Sequence, residues 1–202
     1  MFLEKIKNGE SGILTYGITP PKAETSEERI AEIAQRTLAR LIPLDIDALI
    51  VYDVQDESAR TAEERPFPFL KAHDPYDFAK GYLRALDKPK VIYRPAGKFT
   101  KEELAEWLKG MHDEQFYPVF VGVPAPDYKV KTTLAEAYDL WRAHEADSVI
   151  GAVTIPERHE VLKDEDQRIL DKASHGVSYF ISQCVFNVDY AKKVVEDLCN
   201  TC

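Results

Sequence analysis

The sequence predicts a parallel α/β fold of about six βα units, either a (β/α)8 TIM-type barrel lacking its last two units or an open doubly wound sheet. Strand-like runs begin near Ile13, Ala48, Lys90, Pro118, Ser148 and Val177, most of them about 30 residues apart, the length of one βα unit. The runs Val149–Ile155 and Val177–Asn187 are apolar without alternation, as strands buried on both faces are. No hairpin signal separates any two runs.

Helices fill the gaps in order. The first places Ile30, Ile33, Ala34, Thr37, Leu38 and Leu41 on one face, with Thr25 and Glu28 spaced as a capping box. Asp74-Pro75 supplies an N-cap and a proline at the first helical position, ahead of Phe78, Tyr82 and Leu86. Thr100 and Glu103 form a second capping box before Leu104, Trp107, Leu108 and Met111. Thr133 and Glu136 form a third, before Leu134, Ala137, Tyr138 and Trp141. These aromatic stripes read as core packing against a sheet. After Ile155 the chain reads as a loop through Pro156-Glu157-Arg158-His159, then as a helix that turns Ile169, Leu170 and Ala173 inward and stops at Gly176. A last helix from about Asp189 aligns Ala191, Val194, Val195 and Leu198. The long charged loop from Gln55 to Lys71 is expected to cover the site.

A chain of 202 residues, 45% hydrophobic, buries a full core and reads as one domain spanning 1–202. Its net charge of −9 carries no cluster of Lys and Arg, which argues against nucleic acid and anionic membrane and for a small soluble substrate. No apolar stretch is long enough to span a membrane and the first residues lack a signal-peptide pattern, so a cytoplasmic location is expected. Three cysteines, Cys184, Cys199 and Cys202, are too few for a disulfide framework. Cys199 and Cys202 follow a helix's last turn, where the dipole does not favour thiolate, and no further ligands stand at zinc spacing. Without its last two strands a barrel exposes two sheet edges, so the chain is expected to be a fragment, or to be completed by a partner chain or a second copy.

In parallel α/β folds ligands bind beyond the carboxyl ends of the strands. Those ends carry Tyr16-Gly17-Ile18-Thr19-Pro20-Pro21-Lys22, Tyr52-Asp53, Tyr93-Arg94, Gly122-Val123-Pro124, Glu157-Arg158-His159 and Gln183. Together they suit a flat heteroaromatic ligand with an anionic tail. No glycine-rich phosphate fingerprint is present, so nucleotide phosphate would fall to side chains such as His159 and Lys172. His159 is otherwise an ordinary loop histidine, or one half of an acid/base pair with Glu157 in unrelated chemistry. Gln183 sits on an apolar strand, where an amide left without partners costs roughly 1 to 3 kcal/mol; it bonds neighbouring loops or faces a polar ligand. Asp53 and Arg94 are either ligand groups or a salt bridge between adjacent strand ends.

Ile155-Pro156-Glu157-Arg158-His159, then Lys172, Gly176 and Phe180-Ile181-Ser182-Gln183-Cys184-Val185-Phe186-Asn187, resembles the flavin-dependent methylenetetrahydrofolate reductases. That family carries Tyr-Pro-Glu-x-His and then Phe-Ile-Thr-Gln-x-x-Phe-Asp at a similar separation. Thr19-Pro20-Pro21-Lys22 resembles its Phe-Phe-Pro-Pro-Lys/Arg, and Tyr52 with Glu57, Arg60 and Thr61 resembles its Thr-Tyr-Gly and Glu-x-x-Arg-Thr. The resemblance implies a (β/α)8 barrel, FAD as cofactor, NAD(P)H as reductant and 5,10-methylenetetrahydrofolate as substrate in one-carbon metabolism. It implies that Tyr52, His159 and Lys172 lie along the flavin and that Gln183 contacts the folate or nicotinamide ring. Where the family has its acid, a Glu three residues before the Pro-Pro pair, this chain has Gly17; where the family has Arg-Gly-Asp at strand 4, it has Val121-Gly122-Val123, with Asp127 too far on. Reduced or altered catalysis is therefore expected, with no catalytic residue assigned, or a non-catalytic folate- or flavin-binding subunit.

Overall fold

The computed structural model describes residues 2–56, 67–111, 115–122, 128–144 and 148–201. Glu57, Arg60, Thr61, Val123, Pro124, Asp127 and Cys202 lie outside the described residues. In chain order the elements are α1 (Phe2–Lys7), β1 (Thr15–Ile18), α2 (Glu27–Leu41), β2 (Ala48–Val51), α3 (Pro75–Tyr82), β3 (Lys90–Pro95) and α4 (Lys101–Gly110). There follow β4 (Phe116–Val121), α5 (Leu134–His144), β5 (Gly151–Thr154), α6 (Pro156–Leu162), α7 (Glu165–Ser174), β6 (Tyr179–Ser182) and α8 (Val188–Thr201). No helix among the described residues is long and apolar enough to cross a membrane.

The six strands form one parallel sheet in the order β1-β2-β3-β4-β5-β6. Each new strand is added beside the last, so the winding never reverses. A doubly wound sheet would reverse at a switch point, and the observed order is instead that of a half-barrel.

Register sorts the strand residues onto two faces. The helix-covered face carries Leu49, Val51, Ile92, Phe116, Phe120, Ile150 and Ala152, packed under Ile30, Leu41, Leu104, Leu108, Tyr138 and Trp141. The other face carries Ala48, Ile50, Val91, Tyr93, Tyr117, Val119 and Val149, with Tyr52, Val121, Val153, Tyr179 and Ile181 against them. Its floor is closed by α1, which the sequence pattern did not reveal. Phe2 is buried with its ring centroid 5.7 Å from those of Tyr117 and Tyr179, and edge-on to the latter. Asp47 holds α1 there, pairing Lys5 at 2.6 Å and accepting the Leu14 N–H at 2.8 Å.

Capping sets the helix starts. Asp74 accepts the N–H groups of Tyr76 and Asp77, and Thr100 with Glu103 completes a reciprocal box. Thr133 and Glu136 exchange the same bonds. At α2 the cap falls one residue later than expected: Ser26 accepts from the Arg29 N–H, because the Thr25 N–H is used in a turn to the Lys22 carbonyl. The expected single helix after β5 is two. Pro156 starts α6 at its first position, Lys163 turns left-handed at φ 53°, and α7 begins at Glu165 and ends before Gly176 at φ 92°. His159 is thus a buried helical residue and not a loop histidine.

Two inward glycines make room for rings. Gly151 pairs in register with Tyr179, and a Cβ there would lie 2.6 Å from the Tyr179 ring and 2.7 Å from Val119 Cγ2. Gly151→Ala is expected to lower stability by about 1 to 3 kcal/mol through overpacking, seen as an earlier urea midpoint with an unchanged denaturant slope.

Candidate functional site

The carboxyl ends of the strands converge on one rim. On its β1 and β2 side, the segment after β1 is zipped to the segment before α3: Ala23 N–H donates to the Lys71 carbonyl at 2.8 Å and His73 N–H to the Pro21 carbonyl at 2.9 Å. Lys22 and Ala72 form an antiparallel bridge between them. This fixes Thr19 and Pro20 above β1. A cavity of about 430 Å3 opens beside them, lined by Tyr16, Gly17, Ile18, Thr19, Ile33, Thr37, Tyr52 and Phe78.

Tyr52 stands at the inner end of β2, half-buried, with its ring 4.9 Å from that of Tyr93 and edge-on to it. Burial pushes its hydroxyl pKa up, and the Cys184 thiol across the rim adds to the shift. Tyr93 is shifted up by burial and by Tyr52, and Tyr179 by burial with Tyr93 and Tyr117. Three tyrosine hydroxyls held neutral, those of Tyr179, Tyr93 and Tyr52, therefore run from the floor to the rim. The Tyr179 hydroxyl is buried and has no hydrogen-bond partner among the described residues.

Just outside Tyr52, Asp53 accepts from the Gln55 amide, whose oxygen accepts from Lys98. Burial raises the Asp53 pKa to about 6, opposed by Arg94 and reinforced by Asp74. Of the two readings of Asp53 and Arg94, the direct bridge between strand ends does not form. Arg94 pairs with Asp74, the α3 cap, and lies 4.0 Å from the Phe99 ring centroid and 4.8 Å from that of Trp107. An acid that already accepts the first N–H groups of a helix is better placed to hold this guanidinium than one at the neighbouring strand tip.

The remaining candidates fall in two places. Gln183 follows β6 on the inward-facing register of Tyr179 and Ile181, and its N–H donates to the Thr154 carbonyl at 2.9 Å. It is exposed at the rim, not buried as its apolar strand suggested, because β6 ends at Ser182. His159 and Lys172 lie in the helix layer instead. His159 Nδ1 accepts the Glu165 N–H at 3.2 Å and Nε2 meets Asp197 Oδ2 at 3.0 Å, tying α6 to α7 and α8. Lys172 donates to the Val153 carbonyl at 2.6 Å, and burial lowers its pKa. Between them Glu165, fully buried, accepts from Thr154 Oγ1 at 3.0 Å, the Ile155 N–H at 2.9 Å and Arg158 Nε at 2.7 Å. No local pattern marks this hub, since Glu165 sits in a charged helix start like many others.

The structure thus joins Gly17, Tyr52 and Tyr93 at the rim, with Gln183 on its far side, and joins His159 with Lys172 around Glu165 elsewhere. Among the described residues no group of His, Cys, Asp and Glu stands at metal-binding geometry.

No family model matches the chain, and no curated protein matches it. A solved structure of an uncharacterised protein from Clostridium thermocellum that binds two copies of 5-methyl-5,6,7,8-tetrahydrofolic acid is 39% identical, with a TM-score of 0.83 over 96% of this chain. This chain spans 62% of the length of that protein. A 2,3-dimethylmalate lyase of the PEP mutase/isocitrate lyase superfamily is 13% identical, with a TM-score of 0.62 over 96% of this chain and 64% of its own length; that likeness concerns the fold alone.

His159→Ala strands the Glu165 N–H and weakens the hold on α8, so a loss of about 1 to 3 kcal/mol is expected, with faster amide exchange across 188–201. Asp53 holds its proton more tightly folded than unfolded, so its contribution to stability falls as pH rises from about 4 to about 6. Asp53→Asn should flatten that part of the stability profile in urea titrations.

Proposed function

We propose that this chain binds a reduced folate of the 5-methyltetrahydrofolate class at the rim, with the pterin ring beside Tyr52. The observation that carries this reading is the 39% identical protein of the same fold over 96% of the chain, which binds that ligand. The rim's chemistry supports it. The pyrimidinone half of a reduced pterin is flat and neutral and presents both donors and acceptors at its edge. Tyr52 supplies a fixed aromatic surface, the hydroxyls of Thr19 and Tyr16 lie in the same cavity wall, and the Gln183 amide both donates and accepts. Ile18, Ile33 and Phe78 exclude water from the cavity wall, which strengthens those hydrogen bonds.

The finer proposal is reduction of 5,10-methylenetetrahydrofolate through FAD with NAD(P)H. FAD would supply the hydride relay, and its pyrophosphate would need cationic or donor groups. In this arrangement the expected anchors do not fit it: Tyr52 lines the cavity beside Gly17, while His159 and Lys172 lie in the helix layer and spend their polar atoms on Glu165, Asp197 and Val153. Folate binding without a flavin is therefore the reading the geometry favours, and the chain's own groups bind and orient the ligand.

Calorimetric titration with 5-methyltetrahydrofolate should show saturable binding by protein whose absorbance spectrum lacks flavin bands. Gln183→Ala should weaken it by about fivefold, the worth of one hydrogen bond. Wild-type protein with no measurable heat or protection by the folate would end the reading; purification with bound FAD would restore the reductase.

A further inference from the structure

We propose that Gly17 is the specificity-determining position of the folate rim: by leaving room for the Tyr52 ring it creates the platform on which a planar pterin is taken. This rests on the folate reading above and adds to it a residue, and a part of the ligand.

Gly17 faces inward on β1, in register with Ile50, and Tyr52 is the next inward residue on β2. A Cβ at position 17 would lie 2.6 Å from Tyr52 Cε2, 2.9 Å from its hydroxyl oxygen and 3.1 Å from Cζ. Those distances are shorter than van der Waals contact, so no side chain fits there while Tyr52 keeps its place. The backbone does not demand glycine, since Gly17 is not among the glycines with positive φ. What position 17 requires is space. On its other side Tyr52 meets Tyr93 edge-on at 4.9 Å, so a ring pushed off Gly17 cannot retreat toward β3 and must leave its place in the cavity wall.

The same device occurs at the floor, where it has no access to a ligand. Tyr179 crosses Gly151 and is sealed there by the Phe2 ring. Tyr52 differs in being half-exposed and in lining the cavity. One glycine–tyrosine pair therefore serves packing and the other serves the rim. Among the described residues the cavity walls carry rings, aliphatic groups and hydroxyls but no lysine or arginine. Such walls suit the planar ring of a folate and not its anionic glutamyl tail.

A double-mutant cycle tests this, with 5-methyltetrahydrofolate, 6-methyltetrahydropterin and p-aminobenzoylglutamate as separate calorimetric probes. Gly17→Ala and Tyr52→Ala should each weaken folate and tetrahydropterin by about tenfold, the scale of one lost aromatic stack. In the Tyr52→Ala background Gly17→Ala should cost less than about twofold. p-Aminobenzoylglutamate should not respond to Gly17→Ala, whereas Gly151→Ala should lower stability with folate affinity retained. Equal losses from Gly17→Ala in both backgrounds, or no loss in either, overturn the proposal. If Gly17→Ala alone fails to fold, recovery of folding in the double variant supports the steric seat and failure to recover overturns it. Wild-type protein that binds folate but not tetrahydropterin overturns the ring assignment; one that binds neither overturns the folate reading itself and this proposal with it.

Discussion

Room on the concave face of a curved parallel sheet is the constraint on which the rest of this structure depends. Inward side chains converge as the sheet bends, while outward ones diverge and are filled by helices. Tyr117, Tyr179, Tyr93 and Tyr52 all point inward, and the face accommodates them because Gly151 and Gly17 have no side chain where two of the rings pass. Phe2 then closes the floor against Tyr117 and Tyr179. The cavity beside Gly17 and Tyr52 opens along β1, where it also meets Ile18, Ile33 and Phe78 of the helix-covered side.

Charge is handled differently on the other side of the sheet. Arg94 is held by Asp74 between two rings, Lys90 donates to the Leu86 carbonyl and Gln115, and Glu165 gathers Thr154, Ile155 and Arg158. A buried charge left unpaired is very costly, so each of these groups is bound to the helix layer and lends little to a ligand. Among the described residues the rim carries the hydroxyls of Thr19 and Tyr52, the Gln183 amide and Asp53, whose pKa burial raises to about 6, with Lys98 held by Gln55 and Lys22 by the Leu70 carbonyl.

Local chemistry was legible where its effect is local. Asp74-Pro75, Thr100 with Glu103 and Thr133 with Glu136 start helices as their spacing implies, and Gly176 follows the end of α7. The strand positions and the helix stripes of Leu104, Leu108, Tyr138 and Trp141 are likewise visible in periodicity. The α2 cap moved by one residue because Thr25 was already committed to a turn, and α6 was hidden because its seven residues are too few to show a period. Tyr52 and Gln183 were readable as rim residues because a strand's carboxyl end is where a parallel fold places ligands. Gly17 was readable only as a missing acid.

By itself the sequence determined six βα units along the chain, most of their caps and the set of residues at the strand tips, since propensity, periodicity and capping act over a few neighbours. Only the tertiary structure decided which tips share a space. It turned His159 and Lys172 toward Glu165, gave Arg94 to Asp74 and laid Tyr52 across Gly17. Those outcomes depend on distances between residues tens of positions apart, set by how the sheet bends and which buried group must be paired first, and no local pattern carries that information.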